Sequence, residues 1–298
     1  MQYNTLKKTG FKISEVSFGC MSLKADSTDN DAIIGKAVNE GVTLFDTADL
    51  YDNGSNEKLL GKALKGKRND VLISTKVGNR IRPDGSGWDW YPRKDYILKA
   101  IDESLKRLQT DYIDLYLLHG GTIEDPIDEV IEAFERLKDS GKIRAYGISS
   151  IRPDVIREYI NRSDIAAVMT QYSFLDRRPE EETLNLLLEN EIGVLARGTV
   201  ASGLLVDKSA KDYLDFTKEE VAAIVKEFHA HIPEDKTPSQ TAMRYAIDNP
   251  AITTAVVGTR TLQQLEDAIT AANATPLTTM QLQEIQLLKS VNFYKEHR

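Results

Sequence analysis

The sequence predicts an α/β fold, a (β/α)8 TIM barrel with an N-terminal hairpin and an extra C-terminal helix. Eight short apolar runs alternate with amphipathic stretches. Near-continuous apolar runs mark strands that are buried on both faces. A length of 298 residues suits eight strand–helix units. The first strand ends in Gly19-Cys20-Met21-Ser22. It therefore lacks the GxGxxG phosphate turn that a doubly wound sheet ordinarily brings at that place.

The elements follow in order. Gln2–Ile13 reads as a hairpin that plugs one end of the barrel. The strand candidates are Val16–Cys20, Thr43–Thr47, Val71–Val77, Ile113–His119, Ala145–Ser149, Ala166–Tyr172, Ile192–Ala196 and Thr254–Gly258. Between them, Ile97, Ile101, Leu105 and Leu108 form one helical stripe. Ile127, Val130, Ile131, Phe134 and Leu137 form another, which Gly141 stops. Thr217 to Glu220 and Thr261 to Gln264 read as capping boxes. Thr278–Ser290 is the extra helix. Two insertions exceed ordinary loops. Gly78–Lys94 follows the third strand and holds Trp88, Trp90 and Tyr91. Gly198–Lys236 follows the seventh and must contain at least one helix. No Pro/Ser-rich linker interrupts the chain, so residues 1–298 read as one domain.

A formal net charge of −8 without a long basic run makes nucleic acid and anionic membranes poor partners. A small anionic ligand needs only a local cluster of positive groups. The single cysteine, Cys20, leaves no internal disulfide and fits a reducing compartment. Met1-Gln2-Tyr3-Asn4 carries no apolar signal core, and no run of about 18 apolar residues exists. The expected location is the cytoplasm.

Asp46-Thr47-Ala48-Asp49-Leu50-Tyr51 closes the second strand, Lys76 the third and His119 the fourth. Parallel barrel strands bring these ends to one mouth, where catalytic groups on this fold sit. A carbonyl that accepts hydride develops negative charge on oxygen and then needs a proton. Tyrosine can donate it, but an unperturbed phenol titrates near pH 10. A nearby ammonium lowers that value, and a buried lysine needs a carboxylate to hold its charge. A histidine beside the same oxygen can orient and polarise the carbonyl. Tyr51, Lys76, Asp46 and His119 match these roles in type and placement. Taken singly, each has a plainer reading as a core-edge ring, a solvated lysine or a helix cap. Four such residues at consecutive strand ends argue for chemistry.

At this point the chain resembles the aldo-keto reductases. The resemblance runs from Val16 to about Ala272. It rests on Phe45 to Tyr51 with Asn56-Glu57, on Ser74-Thr75-Lys76, on Asp111 to His119, on Gly141 to Ser149, and on Gly258-Thr259-Arg260. It implies a barrel that binds NADPH/NADP+ in extended form, without a Rossmann domain and without a metal. It implies reduction of aldehydes and ketones to alcohols, with Tyr51 as acid and Asp46–Lys76 as its tuning pair.

The resemblance places the pyrophosphate on the loop after the seventh strand, at Gly198, Thr199, Val200, Ala201, Gly203 and Leu204. Small residues there let backbone N–H groups approach an anion. It places the 2′-phosphate at Gly258, Thr259 and Arg260, with Gln264 one turn on; an arginine at a helix start suits a phosphate dianion. Gly19, Cys20 and Met21 join the cofactor contacts, with plain packing as the alternative. Around the nicotinamide, Ser149 matches the family pattern. Ser150 stands in place of a carboxamide-binding Asn, Met169 in place of a Gln, and Arg197 in place of a stacking aromatic ring. Gln171 faces the same side as Met169 and is a candidate substitute. Arg197 reads either as a salt-bridge partner or as a guanidinium against the ring, which would disfavour the oxidised, cationic form. Ala268 takes the place of an adenine-contacting Asn. Lys208 and Lys211 could clamp phosphates from above. Leu50, Trp88 and Trp90 are the candidate pocket wall for a small carbonyl substrate. His229 and His231 face different ways on a helix, so a shared metal is not expected.

Two other functions remain open at the level of sequence. One is an NADPH-binding sensor or regulatory protein on the same barrel. The other is a lyase or isomerase of phosphorylated sugars with Lys76 as a Schiff base, which Asp46 opposes by keeping the lysine charged.

Overall fold

A computed structural model describes residues 1–24 and 27–298. The chain opens with an antiparallel hairpin, β1 (Tyr3–Leu6) and β2 (Phe11–Ser14). The barrel then begins with β3 (Val16–Gly19), α1 (Asn30–Asn39), β4 (Leu44–Asp46), α2 (Ser55–Ala63) and β5 (Leu72–Val77). A second hairpin, β6 (Asn79–Ile81) and β7 (Trp88–Trp90), fills much of the long loop after β5. The units α3 (Lys94–Leu108), β8 (Ile113–Leu118), α4 (Ile127–Asp139), β9 (Ile143–Ser149), α5 (Pro153–Arg162), β10 (Ala167–Gln171), α6 (Thr183–Glu189) and β11 (Gly193–Arg197) follow. The loop after β11 carries α7 (Lys218–Ala230) before α8 (Pro238–Ile247). The chain ends with β12 (Ile252–Gly258), α9 (Leu262–Asn273) and α10 (Thr279–Leu287).

Eight parallel strands close in the order β10-β11-β12-β3-β4-β5-β8-β9. The expected strands are all present, with ends shifted by one or two residues. α3 and α4 occupy the two predicted stripes. α4 stops at Ser140, and Gly141 takes the left-handed conformation at φ 74°. Thr217 and Glu220 form a full capping box on α7. The second predicted box is modified. Thr261 accepts from Gln264 N, but the Gln264 side chain accepts from Arg260 N, one residue earlier than a capping box requires.

The core has two layers. Outward side chains such as Phe45, Ile73, Tyr116, Ile148 and Val168 pack beneath the helices. Inward side chains fill the barrel itself: Leu44, Leu115, Leu117, Ala145, Ala167, Met169, Leu195 and Val256. Leu6 and Ile13 of the hairpin join this inner cluster, so the hairpin plugs the bottom as expected. The seam where β9 meets β10 depends on Gly147. A Cβ there would sit inside van der Waals contact of the Ala167 carbonyl oxygen on the next strand. We expect Gly147→Ala to push the two strands apart and to lower stability by about 3 kcal/mol, the upper end of ordinary overpacking. Urea denaturation of the two proteins checks this.

Candidate active site

Side chains alternate faces along each strand, and this sets which residues reach the mouth. Asp46 lies two residues beyond the inward Leu44, Lys76 two beyond Ser74, and His119 two beyond Leu117. The same rule brings Ser149, Gln171, Arg197, Gly258 and Gly19 to the upper inner rim. Register agrees: Gly19 pairs with Asp46, Gln171 with Arg197, and Gly258 with Gly19.

Lys76 is fully buried. Its Nζ donates to Asp46 Oδ2 at 2.7 Å, to the Thr47 carbonyl at 2.7 Å and to the Tyr51 hydroxyl at 3.3 Å. Ser74 donates to the other Asp46 oxygen at 2.9 Å. All three ammonium hydrogens therefore have acceptors. Burial works against the charge, but Asp46 and Tyr51 outweigh it and hold the Lys76 pKa above the ordinary lysine value. Tyr51 departs from the expectation of a lowered phenol. Burial raises its pKa above the ordinary value and Lys76 draws it back only in part. His119 meets Tyr51 edge-on, with ring centroids 5.7 Å apart at 83°. Burial, then Lys76 and Arg197, push His119 down to about 3, so it is neutral at physiological pH. Its Nδ1 is buried with no partner among the described residues. That leaves Nε2 as the nitrogen available to a substrate oxygen.

The segment that carries Tyr51 is anchored by residues whose role spacing does not reveal. Asp52 and Asn53 adopt left-handed φ values of 48° and 50° in a tight turn ahead of α2. Asn56 accepts from Thr47 Oγ1 at 2.7 Å and donates to the Cys20 carbonyl at 2.8 Å. Glu57 accepts from Thr75 Oγ1 at 2.6 Å and from Arg107 Nε at 2.6 Å. Asp49 is buried beside them, and its Oδ1 has no partner among the described residues. Burial and the Glu57 charge push its carboxyl up to about 8. One guanidinium faces two carboxylates, and Glu57 takes it.

The proposed cofactor contacts divide by accessibility. In the loop after β11, Gly198 and Ser202 are exposed and Val200 and Gly203 half-buried, whereas Thr199, Ala201 and Leu204 are buried. Ala201 and Ser202 take left-handed φ values of 48° and 59°, and the resulting kink turns Ala201 inward. Thr199, Ala201 and Leu204 thus tuck their side chains under the loop, which leaves only their backbone groups for an anion. Three other candidates are buried in the same way. Cys20 has no accessible surface, Met169 packs inside the barrel, and Thr259 is buried with its hydroxyl on the Val257 carbonyl. Met21, Gly258 and Arg260 are exposed. Arg260 has no ion pair among the described residues, and Gln264 Oε1 accepts from its backbone N–H at 3.0 Å. Ala268 is buried against the sheet. The Lys208 stem lies over Gly203, and Lys211 is exposed.

Arg197 makes no salt bridge among the described residues. Its Nη1 donates to Gln171 Oε1 at 2.9 Å. The Gln171 amide donates in turn to Asp176 at 2.8 Å and to the Tyr213 hydroxyl at 3.2 Å. Gln171 is thus a brace for Arg197, with both amide hydrogens committed. Leu50 is half-buried next to Tyr51. Trp88 is 49% exposed on the outer hairpin, whereas Trp90 packs against the core. His229 and His231 bond separate carbonyls, Leu205 and Glu227, and no metal-binding cluster is found among the described residues. No helix among the described residues is long and apolar enough to cross a membrane.

Comparison with known proteins adds to this geometry. Residues 15–289 match the model of the "Aldo/keto reductase family". An uncharacterized oxidoreductase of Bacillus subtilis, YqkF, is 44% identical, with 100% of each chain covered. The aldo-keto reductase YhdN of the same organism is 30% identical over 89% of this chain and 87% of its own. The holo form of aldo-keto reductase AKR11C1 from Bacillus halodurans superposes with a TM-score of 0.95. It is 46% identical and covers 100% of this chain and 99% of its own.

Asp49 gives the site a pH-dependent weakness. Its folded pKa of about 8 lies above the ordinary 3.8. Between those values the unfolded chain gives up this proton first. The stabilising contribution is therefore full below about pH 4 and lost as pH rises through about 8. We expect the urea midpoint of Asp49→Asn to fall less than that of the wild type between pH 5 and pH 9. In unfolding free energy the difference should be on the order of a few kcal/mol. Parallel declines would show that Asp49 is already ionised in the folded protein.

Proposed function

The chain belongs to the Aldo/keto reductase family, and on that footing we propose that it is an NADPH-dependent reductase of small aldehydes and ketones, acting as one domain. The observation that carries this reading is the contact of a charged, buried Lys76 with the Tyr51 hydroxyl at 3.3 Å. An ammonium placed there stabilises the phenolate that remains when Tyr51 gives up its proton. The neutral His119 orients the substrate carbonyl through Nε2 without competing as an acid. Asp46 keeps Lys76 charged and oriented.

NADPH, when bound, supplies the hydride. The accessible donors fit it: the exposed backbone of Gly198 and Ser202 for the pyrophosphate, and Arg260 at the start of α9 for a 2′-phosphate. The holo state of the Bacillus halodurans relative supports a cofactor on this barrel. A more distant neighbour from Klebsiella pneumoniae, 22% identical, is described as a complex with NADP and acetate. Arg197, braced by Gln171, occupies the rim position that the resemblance gives to the ring-stacking residue. A fixed guanidinium there repels a cationic ring and favours release of NADP+. The Schiff-base reading loses support because every Lys76 N–H is engaged and the amine stays protonated. A sensor would need no proton donor, so the Lys76–Tyr51 contact favours catalysis.

Two measurements test this. NADPH oxidation with an activated aromatic aldehyde and with methylglyoxal should be readily seen in the wild type. It should drop by about 10² to 10⁴ in kcat for Tyr51→Phe, the ordinary worth of a general acid. NADPH binding without wild-type turnover would move the protein to the sensor class. Separately, Arg197→Ala should raise the affinity for NADP+ relative to NADPH by roughly fivefold, the factor for ~1 kcal/mol of charge repulsion at about 4 Å. An unchanged ratio removes the role of Arg197.

A further inference from the structure

The hairpin β6–β7 directly follows β5 and is closed at its base by Tyr91 N donating to the Gly78 carbonyl at 2.8 Å. Trp90 thereby lies on two glycines. A Cβ at Gly78 would meet the indole at 2.7 Å, and one at Gly120 would meet it at 3.3 Å. Both glycines take positive φ values, 127° and 142°, so side chains are disfavoured there on two grounds. Gly120 directly follows His119, so the residue on which the six-membered ring of Trp90 rests is next in the chain to the proposed orienting histidine. The opposite edge of the indole is fixed as well. Nε1 donates to Asp125 at 2.9 Å and 3.1 Å, one distance to each carboxylate oxygen. Asp125 also accepts from Thr122 N at 2.7 Å, and Arg152 donates to the Gly121 carbonyl. The loop that bears Asp125 is therefore tied down on both sides. A charged acceptor makes the indole bond one of the stronger neutral-donor contacts.

We propose that Asp125 is a positioning residue for the substrate pocket. It locks the Trp90 indole against Gly78 and Gly120 as a flat apolar wall, and so favours carbonyl substrates with a planar aromatic body over small dicarbonyls. This rests on the reductase reading above. A side chain free to rotate would lose this preference, because ordering it would then oppose substrate binding.

The chain holds two tryptophans, so Trp88→Phe leaves Trp90 as the sole indole reporter. In that background, Asp125→Ala should raise acrylamide quenching of Trp90. With p-nitrobenzaldehyde, it should raise KM about tenfold while kcat stays within about twofold. With methylglyoxal, both constants should stay within about twofold. Asp125→Asn keeps a carbonyl acceptor for the indole N–H and should restore most of the KM for the aromatic aldehyde. An unchanged aromatic KM despite greater quenching overturns the inference, as does an equal loss on both substrates. Absence of wild-type turnover on either aldehyde overturns the reductase reading itself, and the pocket role falls with it.

Discussion

A buried ammonium is the constraint from which the upper half of the barrel follows. Removing a charge from water is expensive unless partners surround it. Lys76 has three N–H groups and three acceptors, from Asp46, Thr47 and Tyr51. Such a pair adds little to stability compared with apolar packing of similar volume. Its consequence is electrostatic. The same positive charge helps keep His119 neutral and opposes the rise that burial imposes on the Tyr51 phenol. Two neighbouring titratable groups are thus kept as a neutral imidazole and a protonated phenol, the states that the proposed chemistry requires.

Support for that charge extends outward in layers. Thr75, next to Lys76 but facing the opposite side of the strand, holds Glu57, and Glu57 holds Arg107. This chain joins the third strand, the helix after the second strand and the helix after the third. The Tyr51 turn lies within it, with Asp52 and Asn53 in left-handed conformations that their short polar side chains tolerate. Asp49 marks the limit of the arrangement. A second carboxylate shares the cluster without a second cation, and it stays protonated instead of ionised near neutrality.

The features that were legible in the sequence share a local cause. Strands buried on both faces must be apolar almost throughout, so eight runs could be placed to within one or two residues. The alternation of faces then carries Asp46, Lys76 and His119 to the inner rim, because each lies two residues beyond an inward side chain. What was not legible depends on contacts between distant segments. Nothing in the spacing of Glu57 and Arg107 announces their ion pair, and Tyr213 finds Gln171 only because the long loop after β11 folds back. The loop from Gly198 to Leu204 looked uniformly suited to an anion. Its direction turns on left-handed backbone at Ala201 and Ser202, and Ala201 is not a residue that advertises such a conformation. Cys20 is buried for a related reason: a strand end can lie at the mouth and still point its side chain into the wall.

Gln171 shows how the two flanks of the mouth differ. A Gln amide has two hydrogens to donate, and here Asp176 and Tyr213 take both. Its oxygen accepts from Arg197. The residue that looked free to replace a carboxamide contact is therefore engaged in orienting a guanidinium. Asp176 is itself fixed, fully buried and paired with Arg178 at 2.7 Å. Tyr213 belongs to the long loop, so the orientation of Arg197 is coupled to how that loop lies over the rim. On the opposite flank, Trp90 is fixed by a carboxylate and two glycines and needs no loop to move. One flank of the mouth is thus held by contacts within short loops, whereas the other is tethered to a long connection.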